Sequence, residues 1–563
     1  MNALVLVVLS LGAFWIAQRF YARWLERRIY ETDSDEPTPA HTKADGVDFV
    51  ACNRHVLFGH HFCSIAGAAP IVGPAIAVIW GWVPALLWVV FGTTLIGAVH
   101  DFGALAMSAK RGGSTIGDIA GQLLGPRARV YFLMVLILLT WVIIAVFAFV
   151  IGVLFTKFPQ SVWPVNFEIL VAVLIGWWIY KRGGKLLWPS LIAVTLLYVA
   201  VFVCAGHPEW ATLPDSMKIA GSSVVTWIVF LLIYAYIASV LPVRVLLQPR
   251  DYINSHQLFI GLAVLILGVI WLRPEITAPA FNTGIGDAVP MIIPFLFITI
   301  ACGAISGFHG LVSSGTTSKQ LNTMRDARHV GYGGMLGEGT LAMLAVVAVT
   351  AGLGSTAEWH ARYADWKVVA TSGIGNFVEG AGNLVQPIVF GDLALAKTIV
   401  AVIVISFAAT TLDTAARIQR FCLGELGGAF DVPILKNRFV GSAIAVLPAA
   451  ALAIFTDGGK GPGSGGFILW PLFGTTNQLV GGLTLLLLVV HLKTRKRPVW
   501  AVAIPMVFLV VMTTVAGVMN LHGQLTSDTK NWPVIVFGTL FLLLEALMFV
   551  EAIKTLRRQP ALG

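Results

Sequence analysis

Residues 130–156 read VYFLMVLILLTWVIIAVFAFVIGVLFT, a run that contains no charged side chain. A helix that crosses the hydrocarbon core of a bilayer needs roughly 20 apolar residues, and this run supplies them. The whole 563-residue chain has the same character, because 57% of its residues are hydrophobic and 12% are charged, against about 25% charged residues in soluble proteins. The apolar runs are continuous rather than alternating, which excludes an outer-membrane barrel. The sequence therefore predicts an all-α polytopic membrane protein without a sizeable extramembrane domain.

Stretches of this kind recur along the chain and predict about fifteen transmembrane helices. They lie at 2–18, 62–79, 83–107, 130–156, 166–180, 186–206, 219–243, 256–272, 288–306, 335–354, 394–412, 439–456, 465–491, 499–519 and 532–553. The first stretch, MNALVLVVLSLGAFW, lacks the basic start and the small-residue cleavage site of a signal peptide, so we expect it to be retained as a helix.

The placement of the basic residues favours one orientation of these helices. The connections on one side hold 29 of the 37 Lys and Arg residues, and those on the other side hold 8. The richer set comprises 19–61, 108–129, 181–185, 244–255, 307–334, 413–438, 492–498 and the C-terminal tail. Because Lys and Arg are enriched in cytoplasmic loops, we predict an external N-terminus and a cytoplasmic C-terminus.

The second apolar stretch carries helix-breaking residues at membrane depth. In HHFCSIAGAAPIVGPAIAV, residues 60–78, two prolines and two glycines fall within eight positions. Proline removes a backbone donor and glycine permits unwound backbone, so this helix is predicted to be discontinuous. The substrate sites of secondary transporters are built from such broken helices, whereas a simple packing kink is the alternative.

Two later segments resemble it in composition. The segment ISGFHGLVSSGTTSKQL, residues 305–321, and the segment WPLFGTTNQLVGG, residues 470–482, combine hydroxyls and amides with Gly or Pro. Oxygen atoms on broken backbone suit a hard cation or a polar solute. The predicted substrate-binding residues are Ala66, Gly67, Pro70, Gly73, Pro74, Ser306, Ser313, Ser314, Thr316, Thr317, Thr475, Thr476, Asn477 and Gln478.

Ionisable side chains gather toward the predicted cytoplasmic side. A charged group at the bilayer centre costs at least about 2.5 to 3.5 kcal/mol, so each such group is a functional candidate. Histidine beside a desolvated carboxylate titrates near neutral pH, which suits a gate or a proton-accepting vestibule. The alternative is a set of salt bridges from Asp101 or Glu338 to Arg325 or Arg328. The predicted coupling or gating residues are His60, His61, His100, Asp101, His309, Glu338 and Asp413.

The sequence contains few residues that match known motifs for catalysis or metal binding. The spacing of His55, His60 and His61 is like one histidine box of a membrane-bound iron oxygenase, but no second box follows. There is no HExxH, no Walker GxxxxGK[ST] and no GxSxG in a strand-turn-helix setting, and the five cysteines form no CxxC pair. The sequence predicts a protein that is not an enzyme and that uses no metal or other cofactor.

Several segments taken together carry a resemblance to a known family. They are FGHHFCSIAGAAPIVGP, GAVHDFGALAMSAKRGGSTIGDIA, ISGFHGLVSSGTTSKQL with RDARHVGYGGMLGE, FAATTLDTAARIQR and PLFGTTNQL. In this order they resemble the carbon starvation protein family of bacterial inner-membrane transporters. The resemblance runs from about residue 55 to residue 480 and covers most of the chain.

This resemblance implies a core of two inverted five-helix repeats, as in the amino acid-polyamine-organocation superfamily, with extra N- and C-terminal helices. Under it, stretches 62–79 and 219–243 correspond to the first and sixth core helices. The chain then divides into an N-terminal helix and loop (1–54), a transporter core (55–420) and C-terminal helices (421–563) that include a broken helix at 465–491.

The function that follows is secondary active import of a small organic solute, pyruvate or a short peptide, coupled to protons or sodium. The broken helix at 62–79 contains no acid to hold a peptide's ammonium group, which favours a small monocarboxylate. The alternatives are a membrane-embedded enzyme and a nutrient sensor without transport. The expected partners are the small-molecule solute and the lipid bilayer, with no nucleic acid, and the oligomeric state stays open.

Overall fold

The computed structural model describes residues 1–46, 48–182, 186–242, 245–284, 286, 289–456 and 461–558. Three of the basic residues that entered the topology prediction, Lys185, Arg244 and Lys460, lie outside this part of the chain.

The described chain is built from helices joined by turns and short loops. In chain order they are α1 (Ala3–Tyr30), α2 (Arg54–Ile65), α3 (Ala69–Trp80), α4 (Trp82–Lys110), α5 (Ile116–Leu124), α6 (Pro126–Lys157), α7 (Val162–Arg182), α8 (Leu187–Cys204), α9 (Ser223–Val240), α10 (Leu247–Leu272), α11 (Ile292–Thr299), α12 (Gly307–Gly315), α13 (Arg328–Ala351), α14 (Thr356–Arg362), α15 (Trp366–Val385), α16 (Leu393–Ala429), α17 (Arg438–Phe455), α18 (Leu469–Thr494), α19 (Trp500–Thr526) and α20 (Trp532–Arg558).

Thirteen of the helices in the described ranges are long and apolar enough to cross a membrane, or fourteen if the bent pair α2–α3 is one span. The protein is therefore a multi-pass membrane protein. The stretch predicted as a single helix at 288–306 forms instead the short helix α11 and the approach to α12, which accounts for the difference from fifteen.

The predicted discontinuity in the second stretch is confirmed. Helix α2 ends at Ile65, Ala66 has a non-helical backbone with φ −77° and ψ 81°, and α3 starts at Ala69. The two helices are bent by 52°. Pro70 lies in the first turn of α3, where its missing N–H costs no helical hydrogen bond, and Pro74 lies inside the helix.

A second interruption separates α11 from α12. Helix α11 ends at Thr299 and α12 begins at Gly307, so the backbone between them leaves the helix within the buried interior. The resemblance places the sixth core helix at 219–243. That stretch forms the helix α9, which shows no break, and Pro242 lies beyond its end at Val240.

The break predicted in 465–491 is wrong, because α18 runs from Leu469 to Thr494 as one helix. Pro471 lies in its first turn, where no intrahelical donor is required. Gly474 does not unwind the helix. It allows a close contact, because a side chain there would collide with the backbone carbonyl of Ile298.

The centre of the bundle is formed by α6, α13 and α18, whose apolar windows are 89%, 89% and 94% buried. Helix α16 packs along α6 and is the longest element at 37 residues. Helices α19 and α20 are only 28% and 33% buried, so they form part of the periphery. Large apolar side chains such as Trp188 and Phe202 face outward, as expected for a surface in lipid.

Candidate functional site

The two interruptions contact each other at the centre of the bundle. A Cβ atom at Gly73 would collide with the carbonyl oxygen of Thr299 and lie 3.2 Å from the Cα of Ile300. A Cβ atom at Gly303 would lie 3.5 Å from the Cγ of Pro74. Glycine at position 73 therefore lets the unwound end of α11 approach α3 with backbone against backbone, whereas a Cβ atom at Gly303 would collide with the Cβ of Ala342 on α13.

An asparagine on α18 holds the start of α12. Asn477 Oδ1 accepts a hydrogen bond from the backbone N–H of Phe308 at 3.0 Å, and its Nδ2 donates to Ser306 Oγ at 3.0 Å. All three residues are buried. The side chain thus caps the N-terminus of a helix on another element.

Behind this interruption lies a chain of buried ionisable groups. His100 Nδ1 lies 2.7 Å from Asp101 Oδ1, and His309 Nδ1 lies 2.8 Å from Asp101 Oδ2. The other ring nitrogen of His309 lies 3.2 Å from Glu338 Oε2. All four side chains are 0% exposed. The structure therefore brings together His100, Asp101, His309 and Glu338, which we name the relay cluster.

The relay cluster contains polar atoms that have no hydrogen-bond partner among the described residues. They include His100 Nε2 and Glu338 Oε1, whereas His309 Nε2 and Glu338 Oε2 lie 3.2 Å apart without the geometry of a hydrogen bond. A buried polar atom that is not hydrogen-bonded costs about 1–3 kcal/mol, so such a group favours binding of a proton, water or solute.

The alternative interpretation of these acids as cytoplasmic salt bridges is wrong. Arg325 pairs with Asp35 at 2.9 Å, and Arg328 pairs with Glu26 at 2.9 Å. Asp101 and Glu338 are instead paired with histidines.

Two members of the relay cluster, together with the nearby Cys302, are of the residue types that bind metal ions. One ligand atom each from Cys302, His309 and Glu338 lies within 4.8 Å of the others, and all three residues are buried. His309 also bonds Asp101 through Nδ1, which leaves Nε2 for an ion. The set is small for a closed structural site, which normally has four ligands.

A second buried ionic group lies on the opposite side of α2. Arg250 on α10 pairs through Nη1 with Asp413 on α16, and Tyr234 on α9 donates to the same Asp413 oxygen at 2.7 Å. Glu168 on α7 lies 3.9 Å from Arg250 Nε. We name Glu168, Tyr234, Arg250 and Asp413 the arginine centre.

Two adjacent histidines on α2 face these two groups. His61 Nδ1 lies 2.9 Å from Thr317 Oγ1, beside the relay cluster, whereas His60 Nδ1 lies 3.3 Å from Asp251, next to Arg250. The broken helix therefore runs between the two ionic groups. Of the predicted coupling residues, His60 and Asp413 belong with the arginine centre and the others with the relay cluster.

Other predicted binding residues bond mainly within their own helices. Thr316, Thr475 and Thr476 donate to carbonyls three or four residues earlier. Ser314 does the same but also accepts from the backbone N–H of Ile116. Gln478 donates to the carbonyl of Phe297 at 2.6 Å, and Ser313 Oγ has no partner among the described residues.

Sequence reasoning missed Glu168, Tyr234 and Arg250. Arg250 was placed in a cytoplasmic loop at 244–255, but α10 starts at Leu247 and buries it. Glu168 lies in the apolar stretch 166–180, and a single acid in such a stretch is itself a sign of a functional residue. Glu545 on α20 accepts a hydrogen bond from Thr514 at the periphery.

A cavity of about 1010 Å³ leads from the surface to the broken helix. Its rim includes the exposed Gln248, Lys436 and Arg438, and its inner wall includes His60 and Ser64 on α2. The lining comes from segments that the sequence predicts on the cytoplasmic side. Five of its residues are basic and three are acidic, so the cavity favours anions.

A group of ion pairs lies at the opposite end of the bundle. Arg362 on α14 pairs with Glu379 on α15 at 2.6 Å and with Glu358 at 2.8 Å, and Lys157 lies 3.7 Å from Glu379. Burial alone would lower the pKa of Arg362, but the Glu379 and Glu358 carboxylates outweigh it and raise that pKa. Arg362 therefore stays charged in these ion pairs.

A multi-pass helical bundle with two interrupted helices packed together at its centre is an arrangement typical of secondary transporters. The chain matches the family described as Carbon starvation protein CstA over residues 2–358 and 355–516, and it belongs to that family.

Relatives agree with this assignment, and a solved structure shares the fold. The chain is 33% identical to "Peptide transporter CstA" of Escherichia coli over 92% of this chain and 81% of that protein. It is 33% identical to "Pyruvate/proton symporter BtsT" of the same organism over 91% and 81%, and 31% identical to the Bacillus subtilis peptide transporter CstA over 98% and 97%. A crystal structure of the Eremococcus coleocola manganese transporter has a similar fold, with a TM-score of 0.50 at 12% identity over 92% of this chain and 99% of that one.

Proposed function

We propose that this protein is a proton-coupled secondary transporter that imports a small carboxylate-bearing solute, pyruvate or a short peptide. The observation that carries the proposal is the cavity that ends at the broken helix α2–α3, while ion pairs around Arg362 lie at the other end of the bundle. A solute site reached from one side at a time is what alternating access requires. The names of the relatives, a peptide transporter and a pyruvate/proton symporter, supply the solute class.

The choice between the two solutes is more even than the sequence indicated. The preference for a monocarboxylate depended on the absence of an acid at the depth of the break. A Cβ atom at Gly67 would lie 2.5 Å from Thr411 Oγ1, so the break is level with the part of α16 that carries Asp413. The absence of an acid at that depth, on which the preference depended, therefore does not hold.

Protons are favoured over sodium as the coupling ion, with no cofactor required. The relay cluster alternates histidines and carboxylates at hydrogen-bond distances, which suits transfer of a proton from one group to the next. In the hydroxyl-rich segment 306–317, which the sequence offers as a sodium site, Thr316 donates to a carbonyl of the preceding helical turn.

The finer architecture belongs to the same proposal. It includes an inverted five-helix repeat core with added helices, about fifteen spans when α11–α12 is counted, an external N-terminus and residence in a bacterial inner membrane. Support comes from two interrupted helices at the bundle centre and from the meeting of the predicted cytoplasmic segments around one cavity.

Uptake by the purified protein in proteoliposomes tests the function. Labelled pyruvate and a labelled dipeptide are each offered under a pH gradient and, separately, under a sodium gradient, with the other solute as unlabelled competitor. We expect one of them to accumulate with the pH gradient and not with sodium. Accumulation of neither solute would contradict the proposal and favour a nutrient sensor or an unrelated solute.

A further inference from the structure

Two cavities lie at different levels along α10 and α16, and Asp413 of the arginine centre lies between them on α16. The lower cavity of about 1010 Å³ is lined by Asp251 of α10 and Thr414 of α16. An upper apolar cavity of about 70 Å³ is lined by Leu258 of α10 and Phe407 of α16. From the lower to the upper cavity, residue numbers increase along α10 and decrease along α16, so the two helices run antiparallel beside both cavities.

The interval between these cavities is polar. Between the residues that line the two cavities, α10 contains Asn254 and Gln257, and α16 contains Thr410 and Asp413. Arg250, which lies on α10 at the level of the lower cavity, pairs with Asp413. Asn254 Nδ2 bonds Thr410 Oγ1 at 2.5 Å, and Ser406 Oγ donates to Glu168 at 2.6 Å.

The break in the α2–α3 pair occurs at the same level. Ser64 of α2 lines the lower cavity and Ile71 of α3 lines the upper one, so the unwound segment 66–68 lies between them. Three separate elements therefore give the same order of lower cavity, polar interval and upper cavity.

One edge of the Arg250 guanidinium has no hydrogen-bond partner among the described residues. Nη1 donates to Asp413 and to Tyr234, but Nε and Nη2 donate to no described residue. Nε and Nη2 form a fork that matches the two oxygens of a carboxylate. Glu168 Oε1, the nearest acid to Nε, lies 3.9 Å away, which is beyond hydrogen-bond distance.

From this geometry we infer that Arg250 binds the carboxylate of the transported solute through its Nε and Nη2 edge, at the level of the lower cavity. The inference rests on the proposed function, and it assigns the solute-recognition step to a residue on α10 rather than to the broken helix alone. The apolar upper cavity then accommodates the uncharged end of the solute.

Charge balance assigns a second role to Asp413. One guanidinium already faces the two carboxylates of Glu168 and Asp413, all of them about 1% exposed. A third carboxylate would leave the buried group with two uncompensated negative charges, at a cost of several kcal/mol per ion. Asp413, whose neighbours Thr414 and Arg417 line the lower cavity, therefore takes up a proton when the solute binds.

Other titratable or charged groups also face this centre and are included in the charge balance. They are Glu168 on α7, Tyr198 on α8, Tyr234 on α9, Asp251 on α10, His60 and Cys63 on α2, and Arg417 on α16.

Equilibrium binding of labelled pyruvate and of a labelled dipeptide to the purified full-length protein tests the inference. Because Arg250→Gln alone leaves Glu168 and Asp413 uncompensated, the main variant is the double substitution Arg250→Gln with Asp413→Asn. Its matched control is Arg129→Gln with Asp118→Asn, which removes a partly exposed Arg–Asp pair of 2.8 Å. We expect the Arg250 double variant to bind the solute at least about tenfold more weakly than the control.

Asp413→Asn alone, which mimics the protonated acid, tests the charge balance. We expect wild-type affinity to fall as the pH is raised, and Asp413→Asn to bind the solute with an affinity that changes little with pH. Monodisperse protein in gel filtration, checked for each variant, shows that the fold is retained.

The outcomes separate this inference from the proposed function. Wild-type-like binding by the monodisperse Arg250 double variant would overturn the inference while leaving carboxylate transport intact. Failure of the wild-type protein to bind either solute would overturn both. Equal binding of pyruvate and its uncharged amide by the wild-type protein would also contradict carboxylate recognition by Arg250.

Discussion

Asp101 is the residue on which the relay cluster depends. One of its oxygens is hydrogen-bonded to Nδ1 of His100 and the other to Nδ1 of His309, so one carboxylate orients both rings. Because its side chain is fully buried, its charge is compensated by these rings rather than by water.

Asp101→Asn is expected to abolish accumulation of solute against a gradient while leaving exchange of solute for solute intact. The amide has nearly the same shape but cannot take up a proton. Glu338→Gln, at the other end of His309, should have the same effect. Gradient-driven uptake and counterflow in proteoliposomes measure the two activities, with the half-exposed Asp118→Asn as control. Full accumulation in both variants would exclude the relay cluster from coupling.

At the scale of elements, the contact between the two interruptions defines the centre of the molecule. The backbone of α11 approaches α3 at Gly73, and Asn477 of α18 fixes the following start of α12. Three elements therefore hold unwound backbone in one place.

Gly73→Leu should abolish transport, because the side chain would occupy space now filled by the Thr299 carbonyl. Overpacking of this kind costs about 1–3 kcal/mol, so membrane insertion should survive. Gly12→Leu on α1 is the control, since a Cβ there meets nothing within 4 Å. Surface expression and uptake are measured together. Normal uptake by the Gly73 variant would mean that the interruption is only a kink.

Asn477→Ala should reduce transport more than its effect on stability explains. It removes the cap of α12, at about 0.5–2 kcal/mol, and releases Ser306. Asn437→Ala is a control, because Asn437 caps its own helix α17 at an exposed site and so tests the loss of a cap alone. Thermal stability in detergent and uptake are compared for both variants. Equal loss of uptake in the two would contradict a special role for Asn477.

The helices and the first interruption could be predicted because each is encoded locally. Apolar length gives a span, and Pro70 with Gly73 gives a break. The segment with Pro471 and Gly474 also combines proline and glycine, but these residues lie in the first turns of the continuous helix α18, so the break predicted there is wrong. The arginine centre could not be predicted, because Glu168, Tyr234, Arg250 and Asp413 come from four helices that only tertiary packing brings together.

At the scale of the whole molecule, the structure is open at one end, where the cavity lies. The basic cavity gathers segments 48–64, 240–251 and 414–438, while the Arg362 ion pairs lie at the other end. The proposed orientation makes the open end cytoplasmic.

Single cysteines introduced into a variant lacking the five native ones test this orientation. Cysteines at Thr212 and Ser355 should react with an impermeant reagent added outside cells, and a cysteine at Thr494 only after permeabilisation. All three positions are exposed. The positive-inside rule is the physical reason for this expectation. Labelling of Thr494 but not Ser355 from outside would reverse the assignment of the open end.

The central claim is that a carboxylate and a proton cross the membrane together. Proteoliposomes loaded with a pH-sensitive dye, with no gradient imposed, measure this directly when pyruvate or the dipeptide is added outside. The account predicts acidification of the interior by the wild-type protein as the transported solute enters, and none with Asp101→Asn. Solute entry without acidification, or entry that requires sodium, would contradict it.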